Sequence, residues 1–235
     1  MYYSLSRRVA TSDVDETARQ TLVSTVTLMQ DCSLFSLESQ PVFKDYLDTN
    51  HVAMMVASRQ MDVLRRPAYG EIVRAETSIY QFRGFLGYRN TIVYDEANEP
   101  VATCYAVGAF VSLTDGKLIK LPTEVVDSVE FAPKYDMEYL PRKIVLPKIE
   151  PIALDPVAVQ RNDIDLYGHM NNAQYVRVAF ECLPEGAPTD RMRVSYTNQA
   201  RVGDLLYPHL YQTDSAVIVS LADADAKPYS IVEFS

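Results

Sequence analysis

Apolar residues fall at steps of three and four through residues 21–37, TLVSTVTLMQDCSLFSL, so that Leu22, Val26, Met29, Cys32 and Phe35 share one face. That spacing predicts an amphipathic helix, and Pro41 is expected to close it. The pattern then turns strand-like over residues 52–66, 71–83, 87–96 and 100–113, punctuated by Gly84, Gly87 and Asn98-Glu99-Pro100. Turns this short predict an antiparallel meander, because parallel strands need long crossovers. Residues 122–152 keep no period and carry Pro122, Pro133, Pro141, Pro147 and Pro151. They read as a connector with one short helical piece near residues 125–131.

The pattern then begins again. Residues 153–161 are strand-like, the loop RNDIDLYGHM follows, and residues 172–183 place Ala173, Val176, Phe180 and Leu183 on one helical face ahead of Pro184. Asn171 with Gln174 three residues later is a capping-box pattern. Strand-like runs return near 191–199, 203–213, 215–222 and 227–234. The same order twice predicts a duplicated helix-plus-sheet unit. Ser12-Asp13-Val14-Asp15 matches Asn162-Asp163-Ile164-Asp165, and Tyr69-Gly70-Glu71 matches Val202-Gly203-Asp204. The organisation expected is residues 1–121 as a first domain, 122–152 as connector and 153–235 as a second domain. The copies differ at Gly168, His169, Asn171 and Asn172, where the first has Ala18, Arg19, Thr21 and Leu22. An imidazole titrates near neutral pH and a guanidinium does not. Chemistry is therefore expected in the second copy, and binding in the first.

Composition narrows the class. With 48% hydrophobic and 23% charged residues the chain is an ordinary globular one. A net charge of −9 argues against nucleic acid as a partner. No apolar run approaches the roughly 20 residues of a membrane span, and no secretory signal is visible. Cys32, Cys104 and Cys182 are too scattered for a disulfide framework, and His51, His169 and His209 show no ligand spacing. The reading is a cytoplasmic protein with no metal and no cofactor.

Asp165 and His169 are the candidate catalytic pair. They lie four residues apart in a loop entering a helix, whose unpaired first N–H groups favour developing negative charge. A carboxylate there can activate water or attack a carbonyl, and Gly168 lets substrate approach the backbone. RNDIDLYGHMNNAQY resembles the active-site loop of hotdog-fold thioesterases, Asp-x-Asp-x-x-Gly-His-Val-Asn-Asn-x-x-Tyr. Residues 65–122 resemble the first domain of one branch, the acyl-acyl-carrier-protein thioesterases of plant plastids and bacteria. The resemblance covers nearly the whole chain and implies an α+β double (tandem) hotdog, each half an antiparallel sheet wrapped around a helix.

The resemblance implies hydrolysis of acyl-carrier-protein thioesters to free fatty acids, with Asp165 and His169 catalytic. Tyr167 stands where plant members have asparagine. The segment SYTNQARVGD aligns with their Tyr-Arg-Arg-Glu-Cys, setting Gln199 at the glutamate and Ala200 at the cysteine. Without that cysteine a water- or aspartate-based mechanism is expected, Asp165 serving as base or nucleophile and Gln199 orienting water. Tyr167, Gly168, Asn171 and Asn172 are expected to contact substrate. Cys182 reads as a packing residue, and Met54, Met55, Val56 and Met61 as candidate walls for the acyl chain. The partner implied is an acidic carrier with a phosphopantetheine arm. Arg161, Arg177, Arg191, Arg193 and Arg201, among only six basic residues in 151–235, are the candidates to dock it. An acyl-CoA thioesterase and a non-catalytic acyl-thioester-binding module are the alternatives, and homodimer formation stays open.

Overall fold

A computed structural model describes all 235 residues, in two units. The first comprises Met1–Ala57 and Val63–Tyr139. Its elements are β1 (Tyr3–Arg8), α1 (Leu22–Glu38), α2 (Pro41–Thr49), β2 (Val52–Val63), β3 (Ile72–Arg83), β4 (Leu86–Tyr94), β5 (Pro100–Ser112) and α3 (Thr123–Asp127). Strand order is β1-β3-β4-β5-β2, with β1 and β3, β3 and β4, and β4 and β5 paired antiparallel. The meander is the expected one, and α1 lies against β1, β3 and β4. Leu22, Val26, Met29 and Cys32 are buried as their spacing predicts, whereas Phe35 stays exposed.

Two elements depart from the sequence reading. Pro41 does not merely end a helix but starts α2 at its first position, where a missing N–H costs nothing. Strand β1 was unforeseen because its segment, YSLSRR, is mostly polar and only half-buried on alternate residues. Phe43 of α2 stacks on Phe82 and meets Phe110 edge-on, inside a core with Leu47, Val52, Leu121 and Val125. The Met54 side chain crosses β4 and β5 at Gly87 and Gly108, where an added Cβ would sit only 2.9 and 2.6 Å from its methyl carbon. Glycine there permits the close approach.

The second unit comprises Ser58–Asp62 and Leu140–Ser235. The boundary thus falls inside the segment expected to be a connector. Its elements are β6 (Ile152–Ala153), β7 (Val157–Ala158), α4 (Asn172–Glu181), β8 (Arg191–Tyr196), β9 (Leu205–Gln212), β10 (Val217–Ala222) and β11 (Pro228–Phe234). The β2 residues Ser58–Asp62 pair with β8, and the order continues β11-β10-β9-β6, with β7 also on β9. The run expected over 153–161 shrinks to β6 and β7, because Pro156 lies between them and lacks the N–H a ladder needs. Helix α4 packs on β10 and β11 and buries Ala173, Tyr175, Val176, Val178 and Ala179, while Phe180 remains exposed. Each unit is thus a helix on an antiparallel sheet, the α+β class expected.

Residues 132–139 fasten to the first sheet through Asn90, a buried polar residue of β4. Its Oδ1 accepts the Tyr135 N–H (3.1 Å) and the Tyr139 hydroxyl (3.0 Å), and its Nδ2 donates to the Cys104 carbonyl (3.1 Å). The Lys134 ammonium lies 3.5 Å above the Tyr139 ring. Replacing Asn90 by Ala removes the acceptor of the Tyr135 N–H and the donor to the buried Cys104 carbonyl, while the Tyr139 hydroxyl keeps its bond to the Tyr135 carbonyl (2.7 Å). Asn90→Ala is expected to cost about 2–4 kcal/mol, seen as a lower urea midpoint with unchanged slope.

Candidate active site

The loop between residues 160 and 172 is closed by its own backbone. Asp163 is buried; its carboxylate accepts the Gln160 N–H (2.8 Å) and Arg177 Nη2 (2.9 Å), and its carbonyl accepts the Asn171 N–H (2.7 Å). Asp165 donates its N–H to the His169 carbonyl (2.8 Å) and accepts the Gly168 N–H (3.0 Å). Gly168 sits at φ +77°, the left-handed region this turn requires. Met170 N–H reaches the Ala200 carbonyl (2.8 Å), which joins the loop to the segment before β9. The Asn171 side chain caps α4 by accepting the Ala173 N–H (2.9 Å), and the Asn171 carbonyl accepts the Gln174 N–H. The Asn172 N–H is then the first-turn donor left for a ligand.

The first unit builds the same loop almost bond for bond. Asp13 accepts the Ala10 N–H (2.9 Å) and Arg7 Nη2 (2.6 Å), and its carbonyl accepts the Thr21 N–H (2.8 Å). Asp15 N–H reaches the Arg19 carbonyl (3.0 Å), Ala18 N–H the Asp15 carbonyl (2.9 Å) and Gln20 N–H the Pro67 carbonyl (2.7 Å). Val14–Gln20 and Ile164–Met170 are corresponding β-bridges. The duplication read from short sequence matches is therefore a duplication of hydrogen bonds.

The second aspartate of each pair meets different surroundings. Asp15 accepts the Thr17 N–H (3.0 Å) and hydroxyl (2.6 Å) and is ion-paired with Arg66, whose Nε and Nη2 also hold the Gln20 and Arg19 carbonyls. Burial opposes ionisation there. The bonds from Thr17 and Arg66 outweigh it and hold Asp15 well below the usual carboxylate range. The Asp165 carboxylate accepts the Tyr167 N–H (2.9 Å), and no cation is paired with it. The residue in Arg66's place, one before the carbonyl that receives the loop, is Gln199.

Asp165 and His169 are both half-buried at the mouth of α4. Arg201 Nη2 stands 3.4 Å from His169 Nε2. Gln199 and Tyr167 are exposed, and the Asn172 carbonyl accepts the Tyr196 hydroxyl (3.0 Å). Arg161 is exposed, and Arg177 is paired with Asp163. Arg191 forms a two-pronged pair with Asp62, and Arg193 one with Glu233 while holding the Pro141 carbonyl. Both of these arginines are bound up in the sheet. The sequence reading left out Tyr175, a buried residue whose hydroxyl accepts the Ala200 N–H (2.8 Å). Burial, with Tyr229, Asp204 and Asp165 nearby, pushes that hydroxyl up to about 12. Its signal was the closing tyrosine of the Asn-Asn-x-x-Tyr pattern. Cys182 donates its thiol to the Val178 carbonyl (3.2 Å), and burial pushes its pKa up, so it is no thiolate.

Residues 2–129 match the acyl-ACP thioesterase N-terminal domain and residues 148–217 the acyl-ACP thioesterase C-terminal domain. The chain belongs to the acyl-ACP thioesterase family. An acyl-ACP thioesterase from Bacteroides thetaiotaomicron has a similar structure (TM-score 0.87, 16% identity), covering 99% of this chain and 96% of that one. So has a 12:0-ACP thioesterase from Umbellularia californica (TM-score 0.85, 16% identity), covering 99% and 95%. No curated protein matches the sequence. Both halves of the thioesterase are hotdogs, and its reaction is hydrolysis of acyl-ACP to free fatty acid.

The Asp15–Arg66 pair makes a pH-dependent prediction. A carboxyl depressed by folding stabilises the protein above its unfolded pKa of about 4, and that stability is lost as pH falls through the folded value. Arg66→Gln is therefore expected to be less stable than the parent from pH 7 down to about 5. The gap should narrow at lower pH, read by chemical denaturation across that range.

Proposed function

We propose that Asp165 and His169 are the catalytic residues of this thioesterase, with Gln199 assisting. What carries the reading is the contrast across the repeat: the carboxylate of the first copy is neutralised by Arg66, and that of the second has an amide at the same place. A carboxylate free of a guanidinium can take a proton or attack. In one route Asp165 draws a proton from water as the water adds to the thioester carbonyl, and Gln199 orients that water by hydrogen bonds. In the other Asp165 itself attacks and water cleaves the resulting anhydride. In both, the oxyanion is held by the Asn172 N–H at the α4 N-terminus and by His169. Collapse expels the pantetheine thiolate, which takes the proton held by Asp165 in the first route and one from solvent in the second, where hydrolysis of the anhydride returns it. Tyr167, Gly168 and Asn171 shape the turn against which the thioester lies.

The first copy, with its aspartate neutralised, is left to bind the acyl chain, each buried methylene contributing about 0.8 kcal/mol. Arg161 is the docking candidate for the carrier that is not engaged in an ion pair, and Arg177 can assist from its half-exposed side chain. The three free thiols, two of them buried, fit a reducing cytoplasm.

Two measurements test this. Asp165→Asn is expected to lower kcat on the order of 10³-fold, and Gln199→Arg to do the same by rebuilding the Arg66 pair, while Cys182→Ala keeps full turnover. Full activity in Asp165→Asn would reject the scheme, and a folded but dead Cys182→Ala would restore a thiolate mechanism. Arg161→Glu is expected to raise KM for carrier-bound substrate several-fold more than for a small acyl thioester, and equal effects would remove Arg161 from docking.

A further inference from the structure

Arg201 lies too close to His169 to be a docking residue. Its backbone is fixed by the turn leading into β9: its N–H donates to Asp204 Oδ2 (2.8 Å) and its carbonyl accepts the Asp204 N–H (3.0 Å). From there its guanidinium reaches back to within 3.4 Å of His169 Nε2. The phosphate of a carrier's arm lies many bonds from its thioester sulfur. A cation touching the residue that meets the thioester cannot hold that phosphate at the same time.

The first copy shows that the turn does not need this side chain. There Ala68 stands in Arg201's place, and the turn closes identically, with Ala68 N–H on Glu71 Oε1 (2.9 Å) and Glu71 N–H on the Ala68 carbonyl (3.1 Å). The first copy instead has Arg19 at the histidine position, bridged to Ala68. In the second copy the imidazole occupies the loop and the cation faces it from the neighbouring segment.

A guanidinium has donors and no acceptor. For Arg201 to bond His169, Nε2 must offer its lone pair, and the single proton of the neutral ring then resides on Nδ1. We propose that Arg201 is a positioning residue that holds His169 as the Nδ1–H tautomer, so that Nδ1 is the ring's one donor toward the thioester oxygen. The catalytic part of this rests on the role proposed for His169; the tautomer itself does not.

The experiment is ¹⁵N NMR of the ring nitrogens in the full chain, with the His169 signals assigned by their loss in His169→Gln, alongside kinetics on a small acyl thioester and on acyl-ACP. The parent is expected to show the Nδ1–H pattern at neutral pH and Arg201→Met a shift toward Nε2–H. Arg201→Met should lower kcat by on the order of 10- to 100-fold on both substrates with little change in KM, and Arg201→Lys, which keeps a donor, should recover part of it. An unchanged His169 spectrum in Arg201→Met overturns the proposal. So does a variant that keeps kcat and raises KM for acyl-ACP alone, which would make Arg201 a docking residue. If the tautomer shifts while His169→Gln retains full activity, the catalytic role of His169 fails and the tautomer assignment stands.

Discussion

A carboxylate that must take a proton cannot share its charge with a guanidinium. That constraint separates the two halves of this thioesterase. Asp15 and Asp165 sit in the same turn, made by the same backbone bonds, at the mouths of corresponding helices. Arg66 neutralises one. Gln199 stands in that cation's place in the other half, and Asp165 has no ion-pair partner there. Two side-chain exchanges account for the difference, Arg66 to Gln199 on the neighbouring segment and Thr17 to Tyr167 within the loop, while the backbone bonds of the turn are shared.

The two aspartates of each Asp-x-Asp pair divide the work. The first, Asp13 or Asp163, is buried and accepts both a backbone N–H three residues upstream and an arginine. The arginines come from different places, Arg7 from β1 and Arg177 from α4. What has been kept is a guanidinium on the buried carboxylate, and its source has changed. Such a pair is hard to lose, because removing one partner strands a buried charge. The second aspartate, standing on this anchor, is half-exposed and free to differ in its partners. The anchor is fixed by buried bonds, and the residue proposed for chemistry lies two positions beyond it.

Much of this was legible in the sequence. Period-two runs gave β2 to β5 and β8 to β11 to within a few residues, and the helical spacing gave α1 and α4. What was missed lacked a local signal. Strand β1 carries only Tyr3 and Leu5 as apolar residues on its half-buried face and is held by its ladder with β3. Phe35 and Phe180 fit the helical stripe but lie exposed, since periodicity says which face is apolar and not how far the sheet covers it. At the site, the loop motif marked Asp165 and His169. The Arg66–Gln199 correspondence was hidden by the change of offset between the copies, and it appears only when the carbonyls of Pro67 and Ala200 are seen to receive equivalent N–H groups. The arginines near the site looked alike as a list, and only their partners told them apart.

Those partners also bear on how the enzyme meets its substrate. Of the arginines in the second unit's 151–235 segment, Arg177, Arg191 and Arg193 are paired with Asp163, Asp62 and Glu233, and Arg201 faces His169. Arg161 has no such partner. A chain of net charge −9 has little long-range attraction to offer an acidic carrier. On the proposed reading, Arg161 and short-range contacts with the acyl chain and the arm supply recognition after encounter. Binding energy gained from the reacting part of the substrate can be spent on the transition state, whereas a distant charged patch would tighten ground state and transition state alike.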